Sequence, residues 1–462
     1  MSTPAASSRP RPGTDLELTV DALAYGGNGV ARLDTQPGSP AGTGGYVVFV
    51  AGGLPGDRVL ARVHKSKRAY AEARTTEVLE PSPERIAPVA DHPGAAWQVI
   101  PYERQLEYKA QQVDEALRRI GRLDGFELEP IVPAEQQWRY RNKLEYSFGT
   151  SEDGTLICGF HAPGSFSRIV PLGDNMLASE RGNELREQVL AVCRDAGLTA
   201  WDRRDQRGFL RNLVIREGRR TGEFQVRLVT SPGKLPVEAL RERVQAEGLW
   251  WTQTEGLGES TSGGSSQLLA GNPQLSERLG DLRFLISPEA FFQTNTEMAE
   301  RLYGVAVEYA ALHGTERVFD LYCGIGTIAL TMAPRASQVH GLELVEHAIQ
   351  DAADNAALNE IHNASFYAGD VRTSLGELVT QAGRPDVMVV DPPRAGLSQK
   401  IVRRVIEAAP KRIVYVSCNP TTLAPNAAQL TEAGYVLRRV RPVDMFPQTP
   451  HIECVALLEK AT

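Results

Sequence analysis

The stretch Arg412-Ile413-Val414-Tyr415-Val416-Ser417-Cys418-Asn419-Pro420 sets a thiol where a thiol can react. Residues 413–416 are β-branched or aromatic, the pattern of a strand buried in a parallel sheet. Pro420 cannot continue a central strand, and it pushes the residue before it away from helical angles. Cys418 therefore falls at the carboxyl edge of a strand, where open α/β sheets keep their chemistry. A thiol on that turn is a candidate nucleophile; the competing reading is a small buried hydrophobe, which free cysteine more often is.

Carboxylates recur at neighbouring strand ends. Asp320 follows Arg317-Val318-Phe319, Glu343 follows Val339-His340-Gly341-Leu342, and Asp370 follows Ser365-Phe366-Tyr367-Ala368-Gly369. Between the first two runs the turn Leu321-Tyr322-Cys323-Gly324-Ile325-Gly326-Thr327, which lacks the third glycine of the dinucleotide fingerprint and so argues against a pyrophosphate cofactor. A carboxylate at Glu343 can accept both hydroxyls of a ribose, and Asp370 falls near where an adenine amino group would lie. A nucleoside without pyrophosphate fits, and S-adenosylmethionine is the commonest such ligand. The alternative is that these acids only cap helices.

A fourth such strand leads into Asp391-Pro392-Pro393-Arg394. Asp391-Pro392-Pro393 resembles the Asp/Asn-Pro-Pro-aromatic motif of amino-methyltransferases, but Arg394 stands where the aromatic would stack on a base. Beside Cys418 a different reaction becomes available. Uracil C5 is not nucleophilic until a thiolate adds to C6; C5 can then take a methyl group, a base removes the C5 proton, and the thiol is eliminated. Glu453, ahead of the last strand in His451-Ile452-Glu453-Cys454, is the best candidate for that base, because burial raises a carboxyl pKa toward the useful range. His451 is the local competitor.

These residues need a frame. From 286 to 462 strands alternate with helices, as in a doubly wound, Rossmann-like sheet. Residues 15–80 show short strands and Gly-rich turns, the pattern of a small OB-like β-barrel. Residues 1–14 read as a disordered tail, and 81–98 as a linker with four prolines between 81 and 94. A helix is expected from Tyr102 to Ile120, so that 99–125 joins 286–462. Residues 126–285 form a β-rich central body with a Gly/Ser-rich loop at 256–266. Cations cluster at Arg62–Arg74, at Trp138-Arg139-Tyr140-Arg141-Asn142-Lys143 and at Arg203–Arg220, where they are either RNA contacts or solvated faces.

Composition bounds the class. A chain of 462 residues, 42% hydrophobic and 23% charged, suits a soluble protein of two or three domains. Its net charge of −7 does not advertise nucleic-acid binding, so RNA would have to meet local patches. Five cysteines without framework spacing indicate a reducing compartment. No apolar run reaches membrane length, and the first residues lack a signal core, so a cytoplasmic location without a membrane partner is expected.

The motifs Phe292-x-Gln-x-Asn295, Asp320-Leu-Tyr-Cys-Gly-x-Gly326, Asp391-Pro-Pro-Arg-Ala-Gly-Leu397, Ser417-Cys-Asn-Pro420 and His451-x-Glu453 together resemble the catalytic domain of the RNA 5-methyluridine methyltransferases. Tyr25-Gly26-Gly27-Asn28-Gly29 and Leu54-Pro55-Gly56-Asp57 resemble the TRAM module of RNA-modifying enzymes. The resemblance implies Cys418 as nucleophile and Glu453 as base. It implies Gln293, Tyr322, Glu343 and Asp391, with Asp370 added from its strand-end position, as S-adenosylmethionine contacts. It implies a uridine flipped out of structured RNA, with 23S ribosomal RNA ranked first, transfer RNA second, and a monomeric enzyme. Many members hold an iron–sulfur cluster, yet its ligands would fall at Ile86, His92, Ala95 and near Asn175, none of them cysteine. No cluster is expected, and packing, with Trp97 a candidate, must take its place. Cys158, Cys193, Cys323 and Cys454 read as structural. The rivals are amino-methylation through Asp391-Pro-Pro and a non-catalytic RNA-binding protein.

Overall fold

Alternation of small apolar with charged residues along 58–74 dictates a sheet with one dry face, and the chain closes that face on itself. In the computed structural model, which describes residues 9–34, 45–165, 167–258 and 260–461, strands Asp15–Leu23, Gly29–Asp34, Gly45–Ala51, Arg58–Ser66 and Tyr70–Glu80 form a closed barrel. Its interior holds Val20, Val48, Val50, Val59, Ala61, Val63, Ala71 and Ala73, each at most 1% exposed. Residues 1–8 of the expected tail lie outside the described residues. Residues 9–14 run against the barrel, with Gly13 N donating to Val63 O at 2.7 Å and Arg9 Nε to Ser66 Oγ at 2.8 Å.

The Leu54-Pro55-Gly56-Asp57 turn owes its sequence to one carboxylate. Asp57 is fully buried and accepts from Leu54 N at 2.7 Å, Ser82 N at 2.8 Å and Arg85 Nη2 at 2.8 Å. Burial would raise its pKa, but the bonds from Arg85, Ser82 and Leu54 outweigh that and hold it below the usual range. The same compact unit, 1–91 with 95–115 and 446–451, contains helix Tyr102–Glu115. Trp97, 2% exposed, packs there with Leu23, Leu54 and Ile100.

The second unit covers 92–94, 116–445 and 452–462. Its central part is a seven-stranded sheet in the order Ser265–Gly271, Gly248–Gln253, Phe224–Thr230, Leu210–Glu217, Lys143–Thr150, Leu156–His161, Ile169–Pro171. Its other part is an eight-stranded sheet in the order Ala364–Ala368, Gln338–Glu343, Arg317–Leu321, Val387–Val390, Arg412–Ser417, Glu453–Lys460, Tyr435–Val443, Glu127–Leu128. The first five of these strands are parallel, and Glu453–Lys460 enters antiparallel beside Arg412–Ser417. Burial on both faces explains the β-branched runs: Ile413, Val414, Tyr415 and Val416 are 0% exposed. Side-chain caps start the helices that follow. Asn295, Asp370, Ser398 and Asn419 each accept a backbone N–H in the first turn of theirs, an arrangement worth about 1 kcal/mol apiece. Among the described residues no helix is long and apolar enough to cross a membrane.

Replacing Asp57 by Ala leaves the Arg85 guanidinium and two turn amides without their acceptor, at a cost of about 3–5 kcal/mol. The folded pKa of Asp57 is depressed, so its stabilisation is present above the unfolded carboxyl pKa and is lost as pH falls through the folded one. Urea unfolding should show a large loss for Asp57→Ala at pH 7 and a smaller one near pH 3; equal losses at both would exclude the charge as the cause.

Candidate active site

Every parallel strand delivers its last residues to one edge, and the antiparallel strand starts there. Tyr322 follows Arg317–Leu321, Glu343 ends Gln338–Glu343, Asp391 follows Val387–Val390, and Cys418 follows Arg412–Ser417. Ser417 pairs with Cys454, so Glu453 begins its strand alongside the turn that bears Cys418. The direction reversal brings together two residues that are far apart in the chain.

The thiol sits on a fixed turn. Asn419 caps helix Pro420–Glu432 through Thr421 N at 3.0 Å, while its Nδ2 donates to Arg394 O at 3.0 Å. Ser417 Oγ donates to Asn419 O and accepts from Asn419 N, both at 3.1 Å. Farther along that helix Asn426 accepts from Leu397 N at 2.8 Å and Tyr415 Oη at 3.0 Å, and donates to Leu397 O at 2.9 Å. The Asp391–Leu397 loop is thus bound at Arg394 to the Cys418 turn and at Leu397 to the helix that follows it. Cys418 is only partly buried, whereas Cys158, Cys193, Cys323 and Cys454 are buried.

The charges at this edge act on one another. Burial, then Glu453 and Asp391, push the Cys418 thiol up to about 11, and Arg394 works against them. Burial, then Asp391, hold Glu453, itself 4% exposed, well above the ordinary carboxyl range, again opposed by Arg394. Burial raises Asp391 to about 7. Arg394, at the position where an aromatic would stack on a base, is instead the cation that faces both the thiol and Glu453.

A second set lies two strands away. Burial and the charges of Asp370 and Glu343 raise the Tyr322 phenol to about 12. Tyr322 has φ 67°, a left-handed conformation that costs a non-glycine residue energy and marks a tightly determined turn. Glu343 accepts from Gly324 N at 3.3 Å and Val345 N at 3.0 Å. A Cβ on Gly324 would meet nothing within 4 Å, so the turn borders open space. Asp320 links the two sets: burial and then Asp391 and Glu343 raise it, its Oδ2 accepts from Ala329 N at 2.9 Å, and its buried Oδ1 has no partner. Open space beside the glycine turn and an orphaned carboxylate oxygen fit a nucleoside cofactor with hydroxyl and amino donors.

Gln293 is buried, and its carbonyl accepts from Asn142 Nδ2 at 2.8 Å. Two residues on, Asn295 Nδ2 donates to Met445 O at 3.0 Å, tying this segment just past the strand whose Val443 pairs with Glu453. Asp370 does cap a helix, accepting from Arg372 N at 2.8 Å, and also pairs with the Arg372 side chain at 3.1 Å. His451 groups with the other compact unit, its ring edge-on to Phe446 at 5.8 Å.

Several parts of the site were not assigned from sequence. Asp320 was seen as a strand end without a role. Tyr303, on helix Thr296–Ala310, hydrogen-bonds Thr327 at 3.2 Å and is raised by burial and by Asp391, Asp320 and Glu453. Asn426 carries no motif; an amide in a helix interior is the one signal that could have found it.

The cluster positions do not fit iron and sulfide. His92 Nε2 lies 2.6 Å from Asn175 Oδ1, and Gly94 N donates to His92 Nδ1 at 3.1 Å. Among the described residues no group of three or more His, Cys, Asp or Glu could hold a metal ion.

Comparison with known proteins agrees with this geometry. A profile of the tRNA (Uracil-5-)-methyltransferase family matches residues 274–461, and one of the TRAM domain matches 10–76. An uncharacterised RNA methyltransferase of Halalkalibacterium halodurans is 38% identical over 454 residues, 96% of each chain. One from Chlorobaculum tepidum is 37% identical, covering 91% of this chain and 92% of the relative. The crystal structure of Pyrococcus abyssi tRNA (uracil-54, C5)-methyltransferase in complex with S-adenosyl-L-homocysteine superposes with a TM-score of 0.77 at 28% identity, covering 96% of this chain and 99% of that one. The matches to the N-terminal barrel and to the catalytic region point to one family, and this chain belongs to it: the TRAM-domain-containing, S-adenosylmethionine-dependent RNA (uracil-C5) methyltransferases.

Proposed function

We propose that this enzyme methylates C5 of a uridine in transfer RNA through a covalent bond between Cys418 and uracil C6. The pairing of Ser417 with Cys454, which sets Cys418 beside Glu453, is the observation that carries the reading. The names of the matching family and of the Pyrococcus abyssi enzyme both specify tRNA, and they favour transfer RNA over ribosomal RNA, reversing the order expected from sequence.

Bound S-adenosylmethionine supplies an electrophilic methyl group and a positive charge. Gln293, Tyr322, Glu343, Asp370 and Asp391 would hold it, Glu343 taking the ribose hydroxyls. Arg394 and that incoming positive charge favour the thiolate at Cys418. The thiolate adds to C6, and the electron pair of the C5–C6 double bond moves to C5 and forms the new C5–methyl bond as the donor's methyl–sulfur bond breaks, its electron pair staying on that sulfur. Glu453 as carboxylate removes the C5 proton. The C6–S bond then breaks, the double bond reforms, and the thiolate leaves. The barrel at 15–80 and the central body at 126–285 bind the RNA around the target, while 99–125 and 286–462 carry out the transfer.

Cys418→Ala is expected to abolish transfer of labelled methyl to tRNA, by at least about 1000-fold, while cofactor affinity stays within about twofold; retained turnover would exclude the nucleophile. Glu453→Gln should halt the reaction after methylation, leaving a protein–RNA band that survives denaturing electrophoresis; release of product at the wild-type rate would remove Glu453 from the base role. Iodoacetamide modification of Cys418 in the free enzyme should follow an ionisation near 11. The midpoint should move down with S-adenosylmethionine bound and up in Arg394→Gln, as read by mass spectrometry across a pH series.

A further inference from the structure

The seven-stranded sheet has two unlike faces. Leu144, Tyr146, Phe148, Leu213 and Ile215 turn to one side and are buried, helix Glu180–Asp195 packing against their strands. The other side is polar. There Lys143 is in register with Arg216, Glu145 with Val214, and Ser147 with Asn212, while Val214 pairs with Arg227 on the next strand. At one end this face meets the Gln293 segment, where Arg216 donates to Ala290 O and Asn142 to Gln293 O. At strand rise, the run from Lys143 to Gly149 carries the face about 20 Å away from there.

The far end is hollow. A cavity of about 140 Å³ opens there, lined by Gly149, His161, Ser167, Trp201, Arg203 and Arg204 among others. His161 belongs to the same polar face, its Nε2 lying 3.2 Å from Ser147 Oγ. Trp201 is braced from behind: the guanidinium of buried Arg211 stacks 4.1 Å from its ring centre, and Arg211 is itself held by Ser231 Oγ at 3.0 Å. The Trp201 indole N–H is buried without a hydrogen-bond partner. The exposed turn 202–207 overhangs the cavity with Arg203 and Arg204. Asp202 makes no side-chain bond to either: its Oδ1 accepts from the backbone N–H groups of Arg204 at 2.7 Å and Asp205 at 3.1 Å. No ion pair among the described residues involves Arg203, Arg204 or Arg207.

Other arginines of this body are ion-paired. Arg219 pairs with Glu217 and Glu297, Arg220 with Glu300, and Arg227 with Glu289. Arg203 and Arg204, which make no ion pair among the described residues, stand at the mouth of a base-sized hollow walled by a braced indole. A ring, a polar wall and free guanidinium groups at one mouth match a nucleotide: the base enters the hollow and the phosphates meet the arginines. We propose that this cavity is a second RNA subsite, which receives an unpaired nucleotide of the substrate flanking the target uridine while Arg203 and Arg204 hold its phosphates. The inference rests on RNA being the substrate, and deepens the reading above by placing a recognition point remote from the reacting carbon.

Binding tests the subsite without chemistry. Bulk transfer RNA and fragmented ribosomal RNA are titrated separately, across a potassium chloride series, onto the full-length wild type and the Arg203→Ala/Arg204→Ala double variant; both side chains are exposed and outside the methyl-transfer machinery. The subsite requires about tenfold weaker binding of the preferred RNA by the double variant. It also requires the slope of log affinity against log salt to shrink by about 1.4, the loss of two single-strand phosphate contacts. Ultraviolet crosslinking of the wild type should map a nucleotide to the peptide containing Trp201. Equal affinity and slope, crosslinks confined to other peptides, or no binding of either RNA by the wild type would each overturn the proposal. Wild type that binds and crosslinks in this way but forms no 5-methyluridine would sink the reaction assignment and leave the subsite standing.

Discussion

Two strands running in opposite directions make this site possible. In an all-parallel sheet every strand presents its carboxyl end at the active edge, and the first residue of a neighbour lies at the far side. Here Glu453–Lys460 is antiparallel to Arg412–Ser417, so a strand's beginning meets a strand's end. The register Ser417 to Cys454 then sets a carboxylate next to a thiol. Because side chains alternate with period two, a slip of one residue would turn Glu453 away and bring Cys454 round in its place. Pairing on both sides of Glu453–Lys460, by Arg412–Ser417 and by Tyr435–Val443, protects that register.

The same edge is electrostatically unfavourable when empty. Asp320, Asp391, Glu453 and Cys418 all have their charged forms disfavoured by burial; Asp391 adds to the penalty of the other three, and Glu453 to that of the thiol. Each such group holds its proton to higher pH than it would in an unfolded chain. The stability these groups contribute is present below their unfolded pKa values and is lost as pH rises through the folded ones, for Asp391 between about 4 and about 7. A cationic ligand reverses that penalty, so the site's own strain favours the cofactor it uses. Arg394 is a partial counterweight built into the chain. An aromatic residue there would offer a stacking surface but no charge, and the reaction proposed above needs a thiolate more than a stacked amine.

What was legible in the sequence was local. Strand-end acids, the glycine turn and the Ser-Cys-Asn-Pro stop follow from short-range rules, and the structure sets them along one edge. Pairing between distant segments was not legible. Nothing around Glu453 says that its strand enters antiparallel, and nothing around Asn426 says that it grips Leu397 from across the sheet edge. The charge runs show the same limit. The run from Trp138 to Lys143 offered RNA contacts or a solvated face, yet Tyr140 in it is 1% exposed, and Arg139 beside it pairs with Asp174. Arg62 and Lys65 on the barrel likewise pair with Asp15 and Glu72. A cation's availability depends on which acid folds against it, and composition does not carry that information.

His92 and Asn175 show how a tethering task can be met without a metal. Gly94 N donates to His92 Nδ1, so that nitrogen is the acceptor and the ring proton sits on Nε2, facing Asn175 Oδ1 at 2.6 Å. Asn175 in turn donates to Tyr146 Oη at 3.0 Å, and the Tyr146 ring stacks on Phe160, which His92 meets edge-on. Burial holds the His92 pKa below its ordinary value, and a second proton would both bury a charge and cost the bond from Gly94. The pair is therefore neutral and its tautomer is fixed by geometry. Such a bond is worth about 0.5–1.5 kcal/mol net, far less than metal–thiolate ligation. It holds only because the aromatic rings around it exclude water and every partner is already satisfied. Where thiolate ligands are absent, positional order must come from packing of this kind, and a chain that replaces cysteines at those places must also supply the rings.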